Sequence, residues 1–352
     1  MKKEFRLLAW ILIWIFFILG CFEILLTAGY PWKYSYLEPY ILRNEGDTYT
    51  HNAFEIQRIK RDVSSINPQH VVIFIGGSVG LEAITTDEEM SKILSDRLNK
   101  TILFRSLCSS YKTFSDEIKI IEELGNLKAT IIFNTEILRF KTTNDKQLVH
   151  FSKKTNHENL KYYFLPTSSY SQAILEQYNI KVGFKHRVRL FRTCMVLGEI
   201  LKKKLYRFFF ARHRFKSQYE RHIEDSKKPV DKKQYEELSV KLNSMLKNMT
   251  EVYDINYHLF KAAIDKALSN GNHIILSDTP TNPLFDNQLE AFTPKYNKLI
   301  QDLVQGGNLA YLDLRDAAYW KPEDFRDLHH MLPSGREKYT SILAEKLTLL
   351  NL

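Results

Sequence analysis

Cysteine is nearly missing from this chain: three residues in 352, at positions 21, 108 and 194, are too scattered for a disulfide framework or a paired-cysteine zinc site. Glycine (13) and proline (10) are scarce as well, which excludes a fibrous or low-complexity chain. With 44% apolar and 26% charged residues the sequence is not disordered, and it is long enough for one large domain or two small ones. The eleven histidines form no paired ligand motif, so neither a metal nor an organic cofactor is expected, and His329 beside His330 reads as a loop residue. A diffuse positive field is also lacking. The net charge of +9 arises in residues 181–221, whose 13 Lys/Arg and two Glu give +11 and leave −2 for the rest. A basic surface is therefore a local feature.

What the chain does have is an apolar N-terminus. Leu7 to Phe22 are sixteen residues without a charge, and if Glu23 is tolerated the stretch continues to Ala28. That approaches the ~20 residues a helix needs to cross a hydrocarbon core. Lys2, Lys3 and Arg6 precede it, and Tyr30, Trp32, Tyr34, Tyr36 and Tyr40 follow like an interfacial belt. Residues 1–29 are thus expected to be a membrane anchor with a cytoplasmic N-terminus, placing the remainder outside a cytoplasmic membrane. A cleaved signal peptide fits less well, because the apolar run is long and no small-x-small site follows. Ile18-Leu19-Gly20-Cys21 resembles a lipoprotein processing box, but Phe22, Ile24, Leu25 and Leu26 continue the apolar run where a mature lipoprotein turns polar.

Residues 30–69 read as a linker and lead-in that ends at Asn67-Pro68. Beyond it, short β-branched or aromatic runs at 71–75, 101–104, 129–133, 273–276 and 309–312 alternate with helical patterns. Thr85/Thr86 with Glu88/Glu89, and Thr113 with Asp116, are capping-box signals for two of those helices. Further helices are expected over 250–268, 293–304 and 334–350. Strands alternating with helices predict an α/β fold, a doubly wound and mainly parallel five-stranded sheet of flavodoxin-like three-layer form, built from 70–140 and 251–352. The stretch between the third and fourth strands is far longer than a crossover requires, so 141–250 is expected to be a helical, basic insert.

Two places carry residues suited to chemistry. The first strand runs into Gly76-Gly77-Ser78-Val79-Gly80, at the carboxyl end of a strand where ligand crevices open, and Ser78 would face that crevice. Near the other end stands Asp327-Leu328-His329-His330, followed by Gly335. A serine becomes a nucleophile when a base takes its proton, and that base needs an acceptor to fix its tautomer. His330 and Asp327 can be that pair; alone, each segment also reads as an ordinary turn or loop. No third glycine completes a dinucleotide fingerprint and no Gly-Lys-Ser/Thr completes a phosphate loop. Gly76-x-Ser78-x-Gly80 spells a nucleophile elbow, but an elbow follows several strands and its acid lies on a different loop from its histidine.

Together the two segments resemble the SGNH (GDSL-type) hydrolase superfamily, in which a serine follows the first strand and Asp-x-x-His precedes the last helix. The resemblance covers roughly 70–140 and 250–350 and implies Ser78, Asp327 and His330 as catalytic residues. It also implies an oxyanion hole from the backbone of Ser78, the backbone of Tyr111 in the Ser109–Tyr111 stretch, and the side chain of Asn134. Three positions depart from the family pattern: Gly77 replaces the usual Asp, Tyr111 the usual Gly, and Phe133-Asn134-Thr135 the usual Gly-Asn-Asp. Tyr111 also reads as a packed aromatic and Asn134 as a strand-end turn residue.

In 181–221, Lys185, Arg187, Arg189, Arg192 and Lys202 to Lys204 are interleaved with Phe184, Leu190, Phe191, Leu197 and Phe208 to Phe210. Such a helix suits an anionic membrane surface or polymer, or packs its apolar face on a core; an extracytoplasmic placement argues against nucleic acid. The expected function is that of a membrane-anchored, periplasmic serine esterase or O-acyltransferase acting on ester-linked acyl groups. Anchored family members resemble proteins that move acetyl or D-alanyl groups onto cell-surface polysaccharides beside a multi-span membrane acyltransferase. The alternative is an inactive envelope protein of the same fold that binds a glycan or such a partner.

Overall fold

The structure, a computed structural model, describes residues 10–21, 48–108, 112–141, 228–246, 250–307 and 309–350. Five strands, β1 (His70–Ile75), β2 (Ile102–Ser106), β3 (Thr130–Thr135), β4 (His273–Asp278) and β5 (Ala310–Leu312), form one sheet in the order β2-β1-β3-β4-β5. Every pairing is parallel. The sheet is buried on both faces, which is why its strands read as apolar runs without alternation. Side chains of one parity, Val71, Ile73 and Ile75, join one core, and Val72 and Phe74 join the other.

Among the helices of this α/β domain are α1 (Thr48–Ile66), α2 (Ser78–Ala83), α3 (Asp87–Leu98), α4 (Phe114–Leu124), α5 (Lys232–Leu246), α6 (Thr250–Ser269), α7 (Thr293–Gly307) and α8 (Pro333–Leu349). Helices α1, α4, α5, α6 and α7 cover one face, through residues such as Ile59, Ile118, Leu242, Phe260 and Tyr296. The other face is covered by α3 and α8, through Met90, Leu94, Tyr339 and Leu343. The caps expected from sequence form: the Thr86 hydroxyl accepts from the Glu89 N–H, and Thr113 with Asp116 makes a reciprocal capping box.

Within the stretch expected to be a linker and lead-in, residues 48–66 belong to the folded domain. They form α1, whose Ile56 and Ile59 are buried against the sheet at about 1.5–3 kcal/mol each. Arg105 of β2 holds this helix in place, with Nε and Nη2 donating to Asp62 at 3.2 and 2.9 Å. The apolar stripe Ile56, Ile59, Val63 is sparse and broken by charged residues, so it stands out poorly in the sequence.

At the N-terminus, residues 10–21 are helical with Trp10, Trp14, Phe16 and Phe17 exposed. Among the described residues no helix is long and apolar enough to cross a membrane. The remainder of the expected anchor lies outside the described residues. So does most of the expected insert, including the basic segment 181–221; of the insert, α5 is described, and its Tyr235 packs on Phe285 with ring centroids 5.2 Å apart.

Candidate active site

In this strand order the chain leaves β1 toward β2 and later returns past β1 to β3, so the sheet has its switch point between β1 and β3, where a crevice opens at the carboxyl ends of the strands. Ser78 stands there as the first residue of α2, after the cap Gly77. The turn requires its outer glycines. A Cβ on Gly76 would lie 2.7 Å from the Asn134 Cβ, and one on Gly80 would lie 2.9 Å from both the Asn134 Oδ1 and the Cys108 Sγ. Gly77 is different: its φ of −80° suits any residue, and a Cβ there would meet only the Arg139 side chain, at 3.5 Å.

The opposing wall is the loop before α8. A bridge between Phe325 and Met331, both fully buried, closes a small hairpin, and the Arg326 N–H donates to the His330 carbonyl at 3.0 Å. Inside it the Asp327 Oδ1 accepts from the backbone N–H groups of His329 (3.1 Å) and His330 (2.9 Å), the local turn that short acidic side chains favour. Asn282, past β4, donates through its side chain to the Asp327 carbonyl at 3.0 Å. Gly335 is needed for closeness: any Cβ would collide with the Asp324 carbonyl oxygen.

Ser78, His330 and Asp327 form one hydrogen-bonded chain. The Ser78 Oγ lies 2.9 Å from His330 Nε2, and His330 Nδ1 lies 2.8 and 3.0 Å from the two carboxylate oxygens of Asp327. Burial works against ionisation of Asp327, but the charge and hydrogen bond of His330, with His329 and Arg326 behind them, hold its pKa well below the usual carboxylate range. Asp327 is therefore an anion across the neutral range and keeps the His330 proton on Nδ1, leaving Nε2 to accept from the serine. A bidentate pair fastens the two walls: Arg326 Nε and Nη2 donate to Glu82 at 2.9 and 2.6 Å, and Glu82 lies one turn beyond Ser78 on α2.

The expected oxyanion donors fare differently. Tyr111, with Ser109 and Ser110, lies outside the described residues. Asn134 is fully buried beneath Gly76 and Gly80, its side-chain NH2 donates to the Thr279 Oγ1, and among the described residues its Oδ1 has no hydrogen-bond partner. One N–H of its amide is thus engaged by the residue that follows β4. Beside it, Arg139 donates to the Asn134 carbonyl at 3.0 Å, pairs with the fully buried Glu117 at 2.5 Å and lies 4.4 Å from the Phe114 ring centroid. The cation filling the space next to Gly77 is a residue the sequence reading passed over.

A second omission is larger. His329 Nδ1 lies 2.5 Å from the Glu136 Oε1, and the two histidine rings meet edge to face with centroids 4.4 Å apart. Burial opposes a charge on His329, yet the Glu136 carboxylate, aided by Asp327 and Glu82, pushes its pKa up to about 9. Glu136 is 193 residues from His329 in the chain, so no local pattern joins them. Donor atoms of Asp327, His329 and His330 lie within 4.8 Å of one another, as in a metal-ligand set. Both Nδ1 atoms are already engaged by carboxylates, however, which is the arrangement of two acid–histidine pairs. No protein-family model matches the chain, and comparison with curated proteins finds no similar sequence.

Proposed function

We propose that this chain is a serine esterase or O-acyltransferase of SGNH type, anchored by residues 1–29 and acting outside the cytoplasmic membrane on ester-linked acyl groups. The observation that carries the reading is the continuous contact Ser78–His330–Asp327. The Ser78 Oγ attacks the ester carbonyl carbon while His330 Nε2 takes the hydroxyl proton, and Asp327 stabilises the imidazolium. Collapse breaks the bond to the alcohol oxygen, which receives that proton and leaves an acyl-serine. Water or a sugar hydroxyl then gives its proton to His330 and bonds to the acyl carbon, the bond to the Ser78 Oγ breaks and Oγ takes that proton back from His330, so hydrolysis and transfer share the first half. Residues 181–221 are proposed to lie against an anionic membrane surface or polymer, and a multi-span acyltransferase is the proposed donor partner.

The test is turnover of 4-nitrophenyl acetate by the full-length protein in detergent, with and without an oligosaccharide acceptor. Acetate release abolished by Ser78→Ala supports the reading, and acetylated acceptor seen by mass spectrometry assigns transfer. Turnover indifferent to Ser78→Ala overturns it and favours the inactive, binding role, for which the burial of Asn134 speaks. Glu82→Gln is expected to lower kcat about tenfold with KM and thermal unfolding nearly unchanged, because the lost clamp loosens the Ser78–His330 geometry without opening the core. Steady-state kinetics beside a melting curve checks this.

A further inference from the structure

Glu136, almost fully buried just past β3, fixes the Nδ1 proton of His329 and leaves the other ring edge, Nε2–H, as a donor. Among the described residues no hydrogen bond involves that nitrogen, and the His329 side chain keeps 18% exposure. The ring stands edge-on against that of His330. In the ester chemistry above, His330 exchanges its proton with the alcohol oxygen, leaving in one half-reaction and arriving in the other. The alcohol half of the substrate therefore passes on the His330 side, where His329 stands.

Among the described residues the charged groups around His329 are Glu136 just past β3, Asp327 from its own loop and Glu82 from α2, and the His330 ring packs against it. Glu82 is engaged by Arg326 and Asp327 by His330, so the outward N–H of His329 is not quenched by either. A largely buried imidazolium with one unused donor favours a charge-assisted hydrogen bond to an anion and disfavours an ammonium.

We propose that His329 is an anion-recognition group for the alcohol half of the substrate, so that the site takes esters whose alcohol carries a carboxylate or phosphate, such as an acidic sugar or a polyol phosphate. This rests on the serine ester chemistry proposed above for its placement, but its test does not need turnover. His329 is a cation at pH 7 and loses its proton as pH rises through about 9, so the preference should be complete at neutral pH and fade above that value.

The experiment is isothermal titration of the full-length Ser78→Ala protein with two matched pairs: methyl glucuronoside against methyl glucoside, and glycerol 3-phosphate against glycerol. At pH 7 at least one anionic member is expected to bind about tenfold more tightly than its neutral match, the value of one charge-assisted contact. Adding His329→Gln should bring the ratio near one, and His329→Arg should retain it. If His329→Gln unfolds the protein, Glu136→Gln and titration at pH 10 ask the same question. Equal affinities at pH 7, or a preference that survives both His329→Gln and pH 10, overturns the proposal. A preference in Ser78→Ala beside no ester turnover in the parent leaves the anion site standing and removes the enzymatic reading; turnover without a preference does the reverse.

Discussion

Ser78→Ala and His330→Ala are each expected to lower ester turnover by about 10⁴-fold or more, with the two together costing little beyond either one. The non-additivity follows from the geometry. The serine Oγ is 2.9 Å from the only base placed to take its proton among the described residues, so losing either partner disables the same step. Asp327→Asn should cost nearly as much, because an amide cannot hold the Nδ1 proton that a carboxylate at 2.8 Å holds. Since Asp327 remains ionised well below neutral pH, its titration should not appear in the activity profile near neutrality. Folding should be intact in all three variants, which a coincident thermal transition checks. A stable His330→Ala protein with parental turnover would contradict the mechanism.

The largest effect on stability is expected at Arg139. Its guanidinium is buried, and it answers Glu117, the Asn134 carbonyl and the Phe114 ring. Arg139→Ala takes the hydrogen-bonded cation from the Glu117 carboxylate in the core and leaves it the charge of Lys112 nearby, which at pH 8 should cost about 3–5 kcal/mol. The loss should shrink in acid. Burial raises the pKa of Glu117 and pushes Asp116 up to about 6 against its hydrogen bonds from Thr113. For such groups the folded state binds more protons than the unfolded one, so the stability they contribute falls as pH rises from the ordinary 3.8 towards about 6 for Asp116. Removing Arg139 raises Glu117 further, and at pH 5 a neutral acid is cheaper to bury than an unpaired anion. Urea unfolding of Arg139→Ala and the parent at pH 8 and pH 5 measures this; an equal deficit at both would mean that lost packing on Phe114, and not charge, sets the cost.

The strands and most of their helices were legible because parallel strands buried on both faces must be apolar runs, and because Thr86 and Thr113 announce their helices through side chains that bond to their own backbone. Helix α1 was hidden, since its stripe of Ile56, Ile59 and Val63 is interrupted by the charges that dock it, Asp62 on Arg105 among them. Ser78, Asp327 and His330 were named from two segments that lie 252 residues apart at their closest contact, through turn chemistry and family likeness and not through spacing. Long-range polar partners were out of reach for the same reason: Glu82–Arg326, Glu117–Arg139 and Glu136–His329 each join residues with no periodic relation. The glycines at 76 and 80 could be read as a tight turn. That they exist to let Asn134 and Cys108 pack beneath the serine is a fact of three dimensions.

Intact-mass spectrometry after treatment with an aryl fluorophosphonate asks whether Ser78 is an activated nucleophile. The full-length protein should gain the mass of one phosphonyl group, and Ser78→Ala should gain none. A folded protein that takes no adduct, or an adduct that persists in Ser78→Ala, would contradict that role.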